Sequence, residues 1–205
     1  MLLIPKQVES RMNRIEPVQA PFDSDTQAAF DAITPPGKTP LLLFRTIAVS
    51  RRIYARFRAG GLLDRGALSL RQREIVILRI CGLHRCEYEW GVHVAVFAGT
   101  AGFTPEQLAD TVDGPAASWT ADETVLLTAC EELDRTTRFS DGTWVRLREH
   151  FDDQQILEMI AFAGFYRTVC LYANGLRLPL ESFAARFSSS QAPRPVRAAS
   201  AIDPA

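Results

Sequence analysis

Apolar positions recur with a helical spacing along much of the chain. Leu41, Phe44, Ile47, Ala48, Tyr54 and Phe57 fall near a period of about 3.6 and predict one helix over 41–58, stopped by Gly60-Gly61. Ser69-Leu-Arg-Gln72 has the form of a capping box, in which the hydroxyl takes the backbone N–H of residue 72 while Gln72 reaches back, so the next helix should begin at Ser69. Thr104-Pro-Glu-Gln107 and Thr120-Ala-Asp-Glu123 repeat the device. Asp153 is placed to cap a long segment from Gln154 to Asn174, apolar at Ile156, Leu157, Ile160, Ala161, Ala163, Gly164 and Val169 and closed by Gly175. The run from Glu74 to Ile80 conceals its period, but the cap ahead of it favours helix over strand. With no strand-turn-strand signal and no alternation of strand and helix, the expected fold is all-α. A faint echo suggests two related helical halves: Glu74 and Tyr88 are 14 residues apart, as are Glu158 and Tyr172, although two matches are few enough to arise by chance.

Prolines 5, 17, 21, 35, 36 and 40 make residues 1–40 an arm expected to lie over the surface or over a partner subunit. The Ser-, Ala- and Pro-rich end, 184–205, reads as a flexible tail whose composition does not build a core, leaving a helical body at 41–183. The 23 basic and 24 acidic residues of the 205 give a net charge of -1, without the basic excess expected of a nucleic-acid binder. The N-terminal apolar run is too short for a signal peptide, and no window approaches the ~20 apolar residues that cross a bilayer, so the expectation is a cytoplasmic protein without membrane contact. Four cysteines are too few and too irregularly spaced for a disulfide framework and read as reduced thiols.

The chemistry concentrates between Glu74 and His93. A helix starting near Arg85 puts Cys86, Glu89 and His93 on one face. Cys86 then lies in the first turn, where the helix dipole favours thiolate, and His93 is one turn from a carboxylate that can orient it as an acid or base. Glu74 joins them if the two helices fold back on each other, and Gly82 offers a bend for that reversal.

These residues resemble a family. Leu-Ser-Leu-Arg-Gln-Arg-Glu-Ile-Val-Ile-Leu, then Cys-Glu-Tyr-Glu-Trp-Gly-Val-His, then Ala-Gly-Phe-Thr-Pro-Glu-Gln-Leu look like the carboxymuconolactone decarboxylase superfamily, which includes the alkyl-hydroperoxidase-D-like (AhpD-like) proteins. The close likeness covers about residues 66–113 and a looser order of helices extends it to about 175. The resemblance implies an AhpD-like all-helical fold, a homo-oligomer and a site between helices. The family's peroxidases use Cys-x-x-Cys-x-x-x-His with an upstream glutamate. Here the glutamate matches Glu74, the first cysteine, in the resolving position, matches Cys86, and the histidine matches His93. The second, peroxide-attacking cysteine falls on Glu89, and a dithiol cycle cannot run with only one of the two thiols. The decarboxylase branch implies cofactor-free acid/base chemistry.

The candidate catalytic residues are therefore Glu74, Cys86, Glu89 and His93, with Tyr88, Trp90 and Arg79 as candidate substrate contacts. Arg73 is an alternative to Arg79 for a substrate carboxylate. Cys81, Cys130 and Cys170 read as buried apolar residues, His84 as a loop or capping group and His150 as solvated. The ligand types at Glu74, Cys86, Glu89 and His93 are acceptable to zinc, but structural zinc prefers more thiolate and imidazole, so no metal or cofactor is expected. Three readings follow: a cofactor-independent enzyme moving a proton on a small organic acid or lactone, with His93 oriented by Glu89 and Glu74 acting through water; a single-cysteine peroxide reductase using Cys86; and a catalytically silent small-molecule-binding oligomer. In the second, the neighbouring glutamates should raise the Cys86 pKa.

Overall fold

The structure, a computed structural model, describes residues 13–116 and 119–188. Among these residues it holds nine helices and no strand: α1 (Ser24–Asp31), α2 (Leu42–Ile47), α3 (Arg51–Gly60), α4 (Leu70–Leu83), α5 (Glu87–Ala101), α6 (Pro105–Asp113), α7 (Ala121–Thr136), α8 (Asp141–His150) and α9 (Asp153–Gly175). Helix α4 is the hub, packed against α5, α6, α7 and α9. Ile75, Val76, Ile77, Leu78, Ile80 and Cys81 are all buried, on every side of its axis. A helix enclosed all round carries no amphipathic period, which is why this run was ambiguous in sequence.

The capping boxes at Ser69, Thr104 and Thr120 form as their spacing predicts. Arg71 ties three of these starts together: it pairs with Glu123, the N3 residue of α7, donates to the carbonyls of Ala101 and Gly102, and reaches Gln107 of α6. Glu158 of α9 accepts the backbone N–H groups of Ala67 and Leu68 at 2.7 and 2.9 Å, fixing the approach to α4.

Several local expectations differ from what forms. The 41–58 segment is two helices, because Ser50 adopts an extended backbone and caps the amide of Ile53, so a fresh start interrupts the apolar rhythm. Helix α9 is capped by Asp152 rather than Asp153; Asp152-Asp-Gln-Gln155 is itself a complete capping box. Gly82 is not the bend. It lies inside α4, where a Cβ would stand 2.0 Å from the carbonyl oxygen of Thr111, so its role is close approach to α6. The reversal is made by His84, Arg85 and Cys86: Arg85 takes φ 49, its N–H donates to the Gly82 carbonyl, and the Cys86 N–H donates to the Cys81 carbonyl at 2.8 Å. That is a Schellman closure with arginine in the left-handed position. The suggested internal repeat has no structural counterpart, since Glu158 and Tyr172 share α9 whereas Glu74 and Tyr88 sit on different helices.

The arm and tail are more integrated than their composition suggests. Of the arm, residues 1–12 lie outside the described residues; Arg14 bonds to the end of α9, Val18 to Arg45, and Phe30 of α1 is fully buried in the core. Of the tail, 189–205 lie outside the described residues, while Phe187 packs on Trp90 with ring centroids 5.1 Å apart and the Ala185 N–H bonds to the Gly91 carbonyl. Helix α9, with mean hydropathy 1.4, is long and apolar enough by length and composition to cross a membrane, contrary to the sequence reading. Here it packs along α4 and α5, and 44% of its apolar window is buried inside the protein.

Candidate active site

The Schellman closure turns α5 back against α4 and brings Glu74 to His93. His93 Nδ1 lies 2.7 Å from Glu74 Oε2, and His93 Nε2 lies 3.4 Å from Glu89 Oε1. The other Glu74 oxygen accepts from Arg73 Nε and one terminal nitrogen at 3.0 and 2.9 Å. Exposure is 0% for Glu74, 3% for His93 and 7% for Glu89, so the cluster is effectively out of water. Two cationic and two acidic side chains, Arg73, Glu74, His93 and Glu89, alternate along it, an arrangement that lets charge persist in a buried site. Both Glu74 oxygens are engaged, whereas Glu89 Oε2 is buried with no partner.

Burial alone pulls the His93 pKa down, but its hydrogen bonds to Glu74 and Glu89 and their charges outweigh that, raising it from the ordinary 6.5 to about 9. His93 is thus an imidazolium at neutral pH. This reverses the expected roles. Glu74 orients the ring directly and without water, because the helix reversal brings it to hydrogen-bond distance, and Glu89 is the more distant, less engaged carboxylate.

Tyr166 of α9 meets the His93 ring edge to face at 5.0 Å, and its phenol pKa is raised by burial and by the charges of Glu89 and Glu74. Phe97, one turn beyond His93, lies 5.3 Å from the ring, and the Arg73 guanidinium lies 5.1 Å from the centre of Phe97. Arg73 also lines a cleft of about 290 Å³ bounded by Leu62, Leu63, Leu70, Glu158 and Phe162, which adjoins the cluster on the α4 side.

Cys86 is the N-cap of α5 and is fully buried. The neighbouring Cys170 and Cys81 thiols hold its pKa well below the usual thiol range, against the opposing effect of burial, with the Glu89 backbone N–H and His84 adding to the lowering. The direction is opposite to the elevation expected from the nearby glutamates. Burial and the bonds to its neighbours push Cys81 far up. Cys170 is drawn down by its bond to Cys81 but ends well above the ordinary range through its bond to Cys86, burial and the Cys86 charge.

The three expected substrate contacts are committed elsewhere. Tyr88 donates its hydroxyl hydrogen to Glu181 at 2.7 Å and accepts the Leu43 N–H at 3.0 Å. Trp90 donates its indole N–H to Thr111 Oγ1 at 2.9 Å. Arg79 binds the Thr111 carbonyl and pairs with Glu131 at 2.7 Å. Five residues along a helix is about 140° around its axis, so Arg79 faces away from Glu74 and Arg73 is the arginine at the cluster. His84 sits 2.8 Å from Asp134, outside the cluster, and His150 is exposed at the end of α8. Tyr166 goes unread in the sequence, Cys170 is read there only as a buried apolar residue, and Phe97 is likewise unread. The signal for the first two is the i, i+4, i+8 series Phe162, Tyr166, Cys170, one inward face of α9. Among the described residues no group of three or more His, Cys, Asp or Glu side chains is arranged to hold a metal ion.

Residues 50–132 match the carboxymuconolactone decarboxylase family. Among solved structures, a peroxidase-related protein from Silicibacter sp. is similar with TM-score 0.74 at 18% identity, over 86% of this chain and 96% of that one. An alkylhydroperoxidase AhpD core protein from Ralstonia eutropha has TM-score 0.71 at 16% identity, over 83% and 93%. The debrominase Bmp8 has TM-score 0.67 at 11% identity, over 85% and 95%. At these identities the likeness is one of fold. No curated protein matches the chain.

Proposed function

Because residues 50–132 form a carboxymuconolactone decarboxylase family domain within an AhpD-like helical fold, we propose an enzyme of cofactor-independent proton transfer on a small activated acid, lactone or related carbonyl compound. The observation that carries this reading is the free oxygen of Glu89 beside an imidazolium held from its other nitrogen. Glu89 Oε2 accepts a proton from the carbon next to the carbonyl, and His93 Nε2–H supplies one to the oxygen that becomes negative. Glu74 and Arg73 are positioning residues: they fix the ring and keep it charged. The cleft walled by Arg73 is the substrate's approach, and a partly exposed Phe97 covers the ring. We place this enzyme in the cytoplasm as a homo-oligomer; exposed Leu157, Ile160 and Leu171 on α9 suit association of copies.

The test is deuterium uptake in heavy water by a panel of small lactones and oxo acids, followed by NMR. The wild-type protein should label the carbon next to the carbonyl of at least one compound. Glu89→Gln and His93→Ala should each slow that labelling at least 100-fold, consistent with the usual ~10²–10⁴ contribution of a positioned acid or base. Full exchange by Glu89→Gln rules the mechanism out.

A second reading, peroxide reduction by Cys86, is supported by its place at the start of α5 and by the neighbouring thiols, which favour its thiolate. Alkylation rate against pH distinguishes it: the Cys86 thiol should titrate below the ordinary ~8.5, and titration at or above that value removes the reading.

A further inference from the structure

Away from the His93 cluster, α1 and α3 wall a second cavity, of about 560 Å³. That volume is within the range of small-molecule sites, roughly 300–1,000 Å³. Arg51, Tyr54 and Arg58 recur at i, i+3 and i+7, so one face of α3 presents all three to the cavity. Ala29 of α1 and Ala48, Ala55 and Ala59 supply methyl walls around them. No residue of the His93 cluster takes part.

Tyr54 carries the argument. It is only 5% exposed, its ring stands edge to face against the fully buried Phe30 at 5.5 Å, and its hydroxyl is buried with no hydrogen-bond partner among the described residues. An unsatisfied buried hydroxyl is destabilising, and phenylalanine would fill the same space without it, so the phenol points to a group that arrives from outside the fold. Burial raises the Tyr54 pKa and the Arg58 charge opposes that rise, which sets the guanidinium near the hydroxyl.

Arg58 is the second half of the site. Its Nη1 donates to the Ala29 carbonyl at 2.7 Å, and it pairs with no carboxylate among the described residues. The acids nearby are already engaged by Arg51, whose guanidinium lies 2.9 Å from Asp23 and 3.7 Å from Asp25. Arg51 and Asp25 are exposed and form the mouth of the cavity, while Tyr54 and the half-buried Arg58 lie deeper. One uncompensated positive charge and one unused hydroxyl therefore face a space otherwise lined by methyl groups.

We propose that the groove between α1 and α3 is a binding site for a small monocarboxylate with an apolar body, a short aliphatic or aryl acid. The carboxylate accepts from the Tyr54 hydroxyl and from the Arg58 nitrogens that Ala29 leaves over, and the hydrocarbon lies along Ala48, Ala55 and Ala59. Two oxygens and a full charge suit both donors at once. The alanine walls supply no side-chain hydrogen bond, so the body that fits is apolar rather than a sugar. This site stands independently of the acid/base reading at His93.

The experiment titrates the full-length chain with hexanoate and benzoate, and in parallel with hexanol, hexylamine and inorganic phosphate, followed by calorimetry and NMR. At least one of the two acids should bind once per chain with a Kd of about 1 mM or tighter, a reasonable affinity for so few atoms. Its protons should show NOEs to the Tyr54 ring and to the Ala55 and Ala59 methyls. Hexanol, hexylamine and phosphate should each bind at least tenfold more weakly. Tyr54→Phe should weaken the acid at least fivefold and Arg58→Gln at least tenfold. In the ligand-free protein Tyr54→Phe should keep or raise Tm, because it removes only an unsatisfied hydroxyl. A fall in Tm shows that the hydroxyl has a partner within the fold and overturns the proposal. Circular dichroism establishes that Arg58→Gln is folded, and the wild-type NOEs and ligand series stand without it. No saturable binding by either acid, equal binding of hexanol or phosphate, or NOEs that run only to Phe97 beside His93 also overturn the proposal.

Discussion

Glu74 shows how one residue's context decides its chemistry. On α4 it would be a misplaced charge in a run of Ile, Val and Leu; with Arg73 on one oxygen and His93 on the other it becomes the anchor of a buried relay. Removing a partner from such a site leaves an uncompensated charge, so Glu74→Ala should destabilise by about 3–5 kcal/mol in urea unfolding at neutral pH. Glu74→Gln keeps the shape and should lose less. Equal losses from both variants would show that packing, not charge, holds the site. The sequence identified Glu74, Glu89 and His93 by type and spacing, but not which carboxylate holds the ring. That depends on how two helices meet, which no local period encodes. The same limit misled the reading of Arg79, whose helical phase could be assigned a functional face only once Glu74 had been placed.

At the level of elements, the starts were more legible than the stops. Capping boxes are local chemistry, and those at Ser69, Thr104 and Thr120 appear where the residues predict. The closure after α4 uses Arg85 in a left-handed conformation that glycine usually takes, so it left no signature. Gly82 was visible as a glycine but not as a contact. Because its missing Cβ is where the Thr111 carbonyl sits, Gly82→Ala should force α4 and α6 apart and lower stability by about 1–3 kcal/mol or more, read as a fall in Tm. Gly164, with nothing near its Cβ position, is the control: Gly164→Ala in the middle of α9 should be neutral or stabilising by up to about 1 kcal/mol. A Gly82→Ala protein as stable as the wild type would contradict the packing described.

For the whole molecule, the all-α class was legible because every strong signal was helical, whereas the borders of the body were not. Composition marked residues 1–40 and 184–205 as peripheral, yet Phe30 and Phe187 are buried, since single aromatic residues inside polar segments carry little weight in a compositional reading. The His93 site also marks global stability. Its pKa in the folded state, about 9, lies above the ordinary 6.5 expected when unfolded, so its stabilising contribution is complete below 6.5 and is lost as pH rises through about 9. Unfolding free energy should therefore decline across that interval, and Glu74→Gln should flatten the decline. The central claim, that His93 is kept protonated between two carboxylates, is tested most directly by an NMR titration of its imidazole in the folded protein. The account predicts an imidazolium at pH 7.5 that loses its proton near pH 9. Titration at or below the ordinary 6.5 would contradict it.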